Sequence, residues 1–297
     1  MKSNINDPEP VKNVPVSFEF YPTKTEQGAI KLERNALLLA QYKPEFFSVT
    51  YGAGGSTRDR TLETVLATQE HTCIATVPHL SCVGDSKAQL KQLLNLYMDQ
   101  GINRIVALRG DLPSGMGRGL GELNYASDLV EFIRLETGDY FHIEVAAYPE
   151  VHPQSISMEK DLLHFKQKIA AGADSAITQY FFNADSYFYY LDRVQAMGID
   201  VQVVPGIMPI TNYFRLARFS DACGAEIPRW MRKQLEAYGD DIDSICKFGE
   251  EVVSGLCEKL LAGGAPGLHF YTLNQAGPCQ AICDNMGWNK SSPITLL

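Results

Sequence analysis

Val16-Ser17-Phe18-Glu19-Phe20 sets a carboxylate inside a run that is otherwise apolar and aromatic. A carboxyl group buried in such surroundings has its pKa raised and can donate a proton near neutrality. A structural glutamate paired with an arginine suits the same position equally well, and the residues alone do not separate the two readings. Arg109-Gly110-Asp111-Leu112-Pro113 is the second constellation. A guanidinium there holds a phosphate through two parallel hydrogen bonds, and a glycine lets a ligand approach the backbone. Asp111 is suited to orient a heterocycle or to stabilise a developing cation, with an Arg–Asp structural pair as the plainer account. His79 and His152 follow different apolar runs, and no His-x-x-x-His pair exists, so hydrogen bonding to a cofactor or to a loop is preferred over metal ligation. Cys279 and Cys283, four apart, are read as inert thiols.

These groups need elements to converge them. Eight short apolar runs cross the chain: 16–20, 46–50, 74–77, 105–108, 143–147, 176–182, 201–204 and 268–273. They are near-continuous rather than alternating, as expected of parallel strands covered by helices. Between them lie segments of helical periodicity, at 31–41, 62–68, 87–100, 125–135, 159–171 and 187–197. The last gap is longer and holds helical stretches at 213–222, 228–237 and 245–261. The layout predicts a single (β/α)₈ barrel over 14–297 with an extra helical segment before the last strand, preceded by a flexible segment 1–13. A doubly wound open sheet is the competing fold; it normally announces a dinucleotide by G-x-G-x-x-G after its first strand, and here Tyr21-Pro22-Thr23-Lys24 follows instead. Barrel enzymes assemble their sites at the carboxyl ends of strands. Those ends carry Glu19, Tyr51, His79, Arg109 to Asp111, Tyr148, Gln179, Pro205-Gly206 and Tyr271. The glycine-rich run 115–121 reads as a lid.

Composition narrows the partners. The chain has 297 residues, 45% hydrophobic, and a net charge of -9, which disfavours nucleic acid while leaving room for an anionic small molecule at a local basic group. Seven scattered cysteines without a CxxC pair are no disulfide framework. The polar N-terminus lacks the features of a signal or transit peptide, and no apolar run approaches a membrane span. A cytoplasmic enzyme is expected.

Taken together, the motifs resemble the bacterial methylenetetrahydrofolate reductases. The match is carried by Val16-Ser17-Phe18-Glu19-Phe20-Tyr21-Pro22, Ser48-Val49-Thr50-Tyr51-Gly52-Ala53, Pro78-His79-Leu80, Ala107-Leu108-Arg109-Gly110-Asp111-Leu112-Pro113 and Ala147-Tyr148-Pro149-Glu150-Val151-His152-Pro153. Ile177-Thr178-Gln179-Tyr180-Phe181-Phe182, Pro205-Gly206-Ile207-Met208-Pro209 and His269-Phe270-Tyr271-Thr272-Leu273-Asn274 complete it, in chain order from about Val14 to Gly287. The resemblance implies an FAD-bearing barrel that reduces 5,10-methylenetetrahydrofolate to 5-methyltetrahydrofolate with NADH or NADPH, by ping-pong turnover, for methionine synthesis. It implies FAD contacts from Tyr51, Ala53, His79, Arg109, Gly110, Asp111, Tyr125, Ala126, Tyr148, His152, Asp161 and Lys168, with Arg109 and Lys168 at the phosphates and Thr50 on the nicotinamide side. It implies folate contacts from Glu19, Asp111, Gln179 and Tyr271, and an aromatic, Phe219, shared by both substrates. Glu19 and Asp111 become the catalytic pair. A homo-oligomer, such as a tetramer, is implied too.

Two positions depart from the family's pattern. Arg215 stands where a glutamine is expected and Gln275 where an arginine is expected. The cation facing the folate tail would then have crossed from one side of the cleft to the other. His164 and Gln167 also replace expected polar or basic residues on the FAD side. A flavin-free aldolase or lyase barrel predicts a catalytic lysine at a strand end, which is missing. A non-catalytic folate or flavin binder would have no need of Glu19.

Overall fold

A computed structural model describes residues 14–51, 55–110, 121–288 and 290, with backbone alone for 55–59. The barrel expected from the apolar runs is what forms. Its first six strands alternate with helices: β1 (Val16–Phe20), α1 (Glu26–Ala40), β2 (Phe46–Val49), α2 (Gly55–Thr72), β3 (Thr76–Ser81), α3 (Lys87–Asp99), β4 (Arg104–Leu108), α4 (Ala126–Thr137), β5 (His142–Ala147), α5 (Met158–Ala170), β6 (Ser175–Thr178) and α6 (Ala184–Ala196). Then come β7 (Gln202–Val204), β8 (Gly206–Ile207), three helices α7 (Tyr213–Cys223), α8 (Arg229–Tyr238) and α9 (Ile242–Ala262), β9 (Leu268–Tyr271) and α10 (Gly277–Asn285).

All pairings are parallel, in the order β7-β6-β5-β4-β3-β2-β1-β9-β8. The two end strands, β7 and β8, are halves of one barrel strand interrupted at Pro205, which has no N–H to give to a ladder. The proline carbonyl still accepts from His269 N–H at 3.0 Å, and Gly206 N–H turns to the Thr178 hydroxyl at 2.8 Å. So nine segments close as eight barrel strands.

Strand alternation sorts the side chains. In β1, Val16, Phe18 and Phe20 join the large apolar core between sheet and helices. The intervening Ser17 and Glu19 face the barrel axis, where a separate small cluster of Phe46, Val77, Val106 and Ile177 sits. Near the amino-terminal ends of the strands, buried Glu144 accepts from the Ser175 hydroxyl at 2.7 Å and lies 3.4 Å from both Arg104 and His142. Burial alone would discourage ionisation of Glu144, but hydrogen bonds from His142 and Ser175 and the Arg104 charge outweigh it and hold its pKa below the ordinary value. This charged plug closes one mouth and leaves the other to the site.

Several elements differ from the sequence reading, α2 for one spanning Gly55–Thr72 rather than 62–68. β3 starts two residues later and runs to Ser81, so His79 lies within the strand rather than after it. β6 stops at Thr178, and Tyr180 to Phe182 are buried loop residues that look like strand by hydrophobicity alone. α10 was not anticipated: a nine-residue helix opening Gly277-Pro278 carries too short a periodic pattern to read. The segment 1–13 and residues 115–120 of the proposed lid lie outside the described residues.

Candidate active site

The carboxyl ends of the strands bring Glu19 to the open mouth. Because Phe18 and Phe20 point outward, Glu19 does not sit among aromatics as its sequence neighbours suggest. Its Oε2 instead faces two imidazoles, His79 Nε2 at 3.4 Å and His269 Nε2 at 3.6 Å. Both histidines are buried, and neither Nε2 has a hydrogen-bond partner among the described residues. Among the described residues no arginine pairs with Glu19; its ionic partners there are these two histidines. On its other side the His269 ring is fixed through Nδ1 to the Ser17 hydroxyl at 2.7 Å. Burial pushes the His79 pKa down, with Glu19 opposing and His269 reinforcing, so His79 is neutral at pH 7.

Tyr271 stands beside this group. Its hydroxyl donates to the Thr178 carbonyl at 2.7 Å, and its ring meets His269 edge-on at 5.3 Å. Burial, followed by the nearby Glu19, raises the Tyr271 pKa well above the ordinary phenol value, so it acts only as an O–H donor. Gly206 makes room for the ring: a Cβ there would come within 2.6 Å of it. Gln179 follows β6 and is half-buried, its amide oxygen taken by the Tyr180 N–H at 3.0 Å.

The rim of β2 to β5 carries the remaining groups. Thr50 is tied to β1 through its N–H to the Phe20 carbonyl at 2.9 Å, and the Tyr51 hydroxyl donates to Asp85 at 2.9 Å. Arg109 extends an Nη to the Gln154 side chain at 2.7 Å. Gly110 has φ +90°, and a Cβ there would lie 1.9 Å from Ser81 Oγ, so what presses on this glycine is β3. Tyr148 packs edge-on against His152 at 4.6 Å. His152 N–H is anchored on Asp161 at 3.0 Å. Lys168 reaches inward from α5 to the Ala146 carbonyl and lies 6.0 Å from the Tyr148 ring. Burial lowers its pKa to about 8, with Asp161 opposing. Tyr125, exposed, and Ala126 open α4. Ala53 and Asp111 lie outside the described residues.

On α7, Arg215 and Phe219 are four residues apart and share one exposed face. The helix is held by Tyr180, whose hydroxyl meets Ser220 at 3.1 Å, and by Glu150, whose carboxylate accepts the Glu226 N–H just beyond the helix at 2.7 Å. Gln275, half-buried, follows β9. Among the described residues no group of three or more His, Cys, Asp or Glu is placed to hold a metal, and no helix is long and apolar enough to cross a membrane. Burial pushes the thiols of Cys279 and Cys283 far up, which leaves them unreactive.

Sequence reasoning did not single out His269 as a site residue. The signal was there: in Leu268-His269-Phe270-Tyr271 a period of two puts His269 on the same face as Tyr271.

Comparison with known proteins agrees with this geometry. The family model described as Methylenetetrahydrofolate reductase matches residues 4–287. The 5,10-methylenetetrahydrofolate reductase of Escherichia coli is 41% identical over 272 residues, covering 92% of this chain and 90% of that protein. Methylenetetrahydrofolate reductase (NADH) 1 of Arabidopsis thaliana is 38% identical, covering 94% of this chain and 49% of that longer one. Among solved structures, a Clostridium thermocellum protein described as binding two copies of 5-methyl-5,6,7,8-tetrahydrofolic acid superposes with a TM-score of 0.66 at 15% identity, covering 92% and 93% of the two chains. That likeness bears on the fold alone.

Proposed function

Since the chain belongs to the methylenetetrahydrofolate reductase family, we propose that it reduces 5,10-methylenetetrahydrofolate to 5-methyltetrahydrofolate, with FAD as resident cofactor and NADH as electron source. The observation that carries the reading is Glu19 at the barrel mouth, its Oε2 faced by two buried imidazoles. The donor set of the rim suits the cofactor. Arg109 and Lys168 supply two cations for a pyrophosphate, and Tyr51, Tyr125, Tyr148 and His152 supply ring faces and polar tips. His79 brings a buried Nε2 without a hydrogen-bond partner. Thr50, Ala53, Gly110, Asp111, Ala126 and Asp161 complete the set by resemblance. Bound there, FAD supplies the hydride carrier, while the protein supplies position and electrostatics.

The chain's own groups then have distinct tasks. Hydride addition to the folate methylene carbon requires the five-membered ring to open to an iminium cation, and opening requires a proton on the departing nitrogen. Glu19 in its acid form gives that proton, directly or through one water. His79 and His269 flank the carboxyl and hold it in place, and neutral His79 adds no fixed charge. Asp111 stabilises the cation, Gln179 orients the pterin edge with a donor and an acceptor, and Tyr271 closes the wall behind it. Phe219 packs against whichever substrate is present, so oxidised nicotinamide leaves before folate enters. Arg215, one turn from Phe219, takes the folate tail carboxylate that an arginine at position 275 would otherwise meet. The same reading makes this a cytoplasmic homo-oligomer whose product serves methionine synthesis.

The test is spectroscopic. Purified protein should carry a flavin band that bleaches with NADH in the absence of oxygen and returns on adding methylenetetrahydrofolate. A colourless protein that takes up no FAD, or a band that neither nicotinamide bleaches, defeats the reading.

A further inference from the structure

The turn after β9 holds two consecutive non-glycine residues in the left-handed region, Leu273 at φ 50° and Asn274 at φ 56°. A leucine in that conformation is strained, and such strain persists only where the surroundings hold it. Here the holding is done by Asn274. Its side-chain oxygen accepts from Tyr21 N–H at 2.9 Å, and its side-chain nitrogen donates to the Tyr21 carbonyl at 2.8 Å. The amide thus pairs with the Tyr21 peptide as the backbone of a neighbouring strand would. Its own carbonyl is fixed by the Asn35 side chain of α1 at 2.7 Å. Two residues earlier, Thr272 sends its hydroxyl to the Glu19 carbonyl at 2.5 Å and its N–H to the same oxygen at 3.3 Å.

The position of this clamp gives it meaning. The backbone ladder between β1 and β9 ends at the Glu19–Tyr271 register. Beyond it, the end of β1 is tied on its other flank by Thr50 N–H to the Phe20 carbonyl. The β9 flank is secured by Thr272 and Asn274. That flank sets the distance between Glu19 and the His269 imidazole, because His269 is on β9. A shift of β1 against β9 would move the carboxyl off the imidazole while leaving the Arg109 and Lys168 rim on β4 and α5 untouched.

We propose that Asn274 is a positioning residue for Glu19: by completing the β1–β9 pairing with its side chain, it holds the carboxyl in register for protonating the folate. This rests on the proposed function for its catalytic consequence, and on the geometry alone for its mechanical one. Asn274→Gly removes both side-chain bonds while suiting the left-handed backbone. Thr272→Val, which removes the hydroxyl's bond to the Glu19 carbonyl and the bond it accepts from the Asn274 N–H at 3.1 Å, serves as the second variant. Hydrogen exchange of the peptide containing Tyr21, followed by mass spectrometry, should quicken in Asn274→Gly while the β4 and β5 peptides exchange as in the parent. Rapid-mixing kinetics should show flavin reduction by NADH within about twofold of the parent. Reoxidation by methylenetetrahydrofolate should fall by up to about 100-fold, the loss expected of a misplacement near 1 Å. Its pH profile should shift as well. Thr272→Val, which loosens the same turn, should show the same selectivity. Equal loss in both half-reactions, or loss in neither, overturns the proposal, as does unchanged exchange at Tyr21. A parent protein that performs neither half-reaction defeats the proposed function instead, and leaves the exchange measurement to judge the clamp.

Discussion

Replacing Gly110 by alanine should cost the protein about 2–5 kcal/mol, and the reason is separable into two parts. At φ +90° a side chain is strained whatever space surrounds it, which for alanine amounts to about 1–2 kcal/mol. The added Cβ would also lie 1.9 Å from Ser81 Oγ and 3.1 Å from Ser81 Cβ, an overpacking worth about 1–3 kcal/mol. The two parts can be told apart through Ser81. Its hydroxyl donates to the Arg109 carbonyl at 2.8 Å, so Ser81→Ala alone should cost about 0.5–1.5 kcal/mol. In the double variant the worst clash is gone, and what remains is the backbone strain and the lost hydrogen bond, about 1.5–3.5 kcal/mol together. The double variant should therefore be more stable than the sum of the singles by about 1–3 kcal/mol, beyond the few tenths by which independent sites fail to add. Urea unfolding of the four proteins, followed by fluorescence with the slope held common, measures the cycle. Flavin retention gives a second readout, since Arg109 directly precedes the strained residue; it should fall in Gly110→Ala and partly return in the double variant. Additivity to within about 0.5 kcal/mol would refute the reasoning, because it would mean that Gly110 and Ser81 do not compete for the same space.

Two further outcomes follow from charge. Burial lowers the Lys168 pKa to about 8, so the unfolded chain binds the extra proton between that value and the ordinary lysine range. Stability should therefore rise with pH across that window, while the cation available to a pyrophosphate is lost. Apoprotein affinity for FAD, titrated by flavin fluorescence, should weaken from about pH 8 upward, and Lys168→Met should bind less tightly at neutral pH and show no such dependence; a variant that keeps the slope would remove Lys168 from the phosphate site. On α7, Arg215→Gln should raise the KM for methylenetetrahydrofolate about two- to fivefold, the modest effect of an exposed ion pair, and leave the KM for NADH alone. An unchanged folate KM would return the tail carboxylate to some other group.

How far the sequence disclosed this site depended on whether the information was local. The two-residue period of β1 and the apolar runs placed Glu19 inside a barrel strand, and the same period placed Tyr271. Neither disclosed what faces Glu19, because the approach of His79 and His269 is set by the register of β1 against β9 and by β3 on the far side of β2, through residues up to 250 positions apart. His269 was legible by alternation yet passed over, since a histidine within a strand has no motif of its own. That two histidines rather than an arginine face Glu19 among the described residues is likewise a fact of tertiary geometry. That Ser81 occupies the space a side chain at position 110 would need is a fact of β3–β4 packing that no local pattern discloses. Pro205 was legible as a strand end, but its role in dividing one barrel strand between two neighbours appears only once the ring is closed.

The central claim is that Glu19 serves the folate half of the cycle as its acid. Glu19→Gln keeps the size and the contacts to His79 and His269 but has no proton to give. Single-turnover measurement of each half-reaction in this variant tests the claim most directly. The account predicts flavin reduction by NADH close to that of the parent, with reoxidation by methylenetetrahydrofolate slowed by about 100-fold or more, the usual contribution of a positioned general acid. Loss of equal size in both halves would contradict it and make Glu19 a structural member of the barrel mouth.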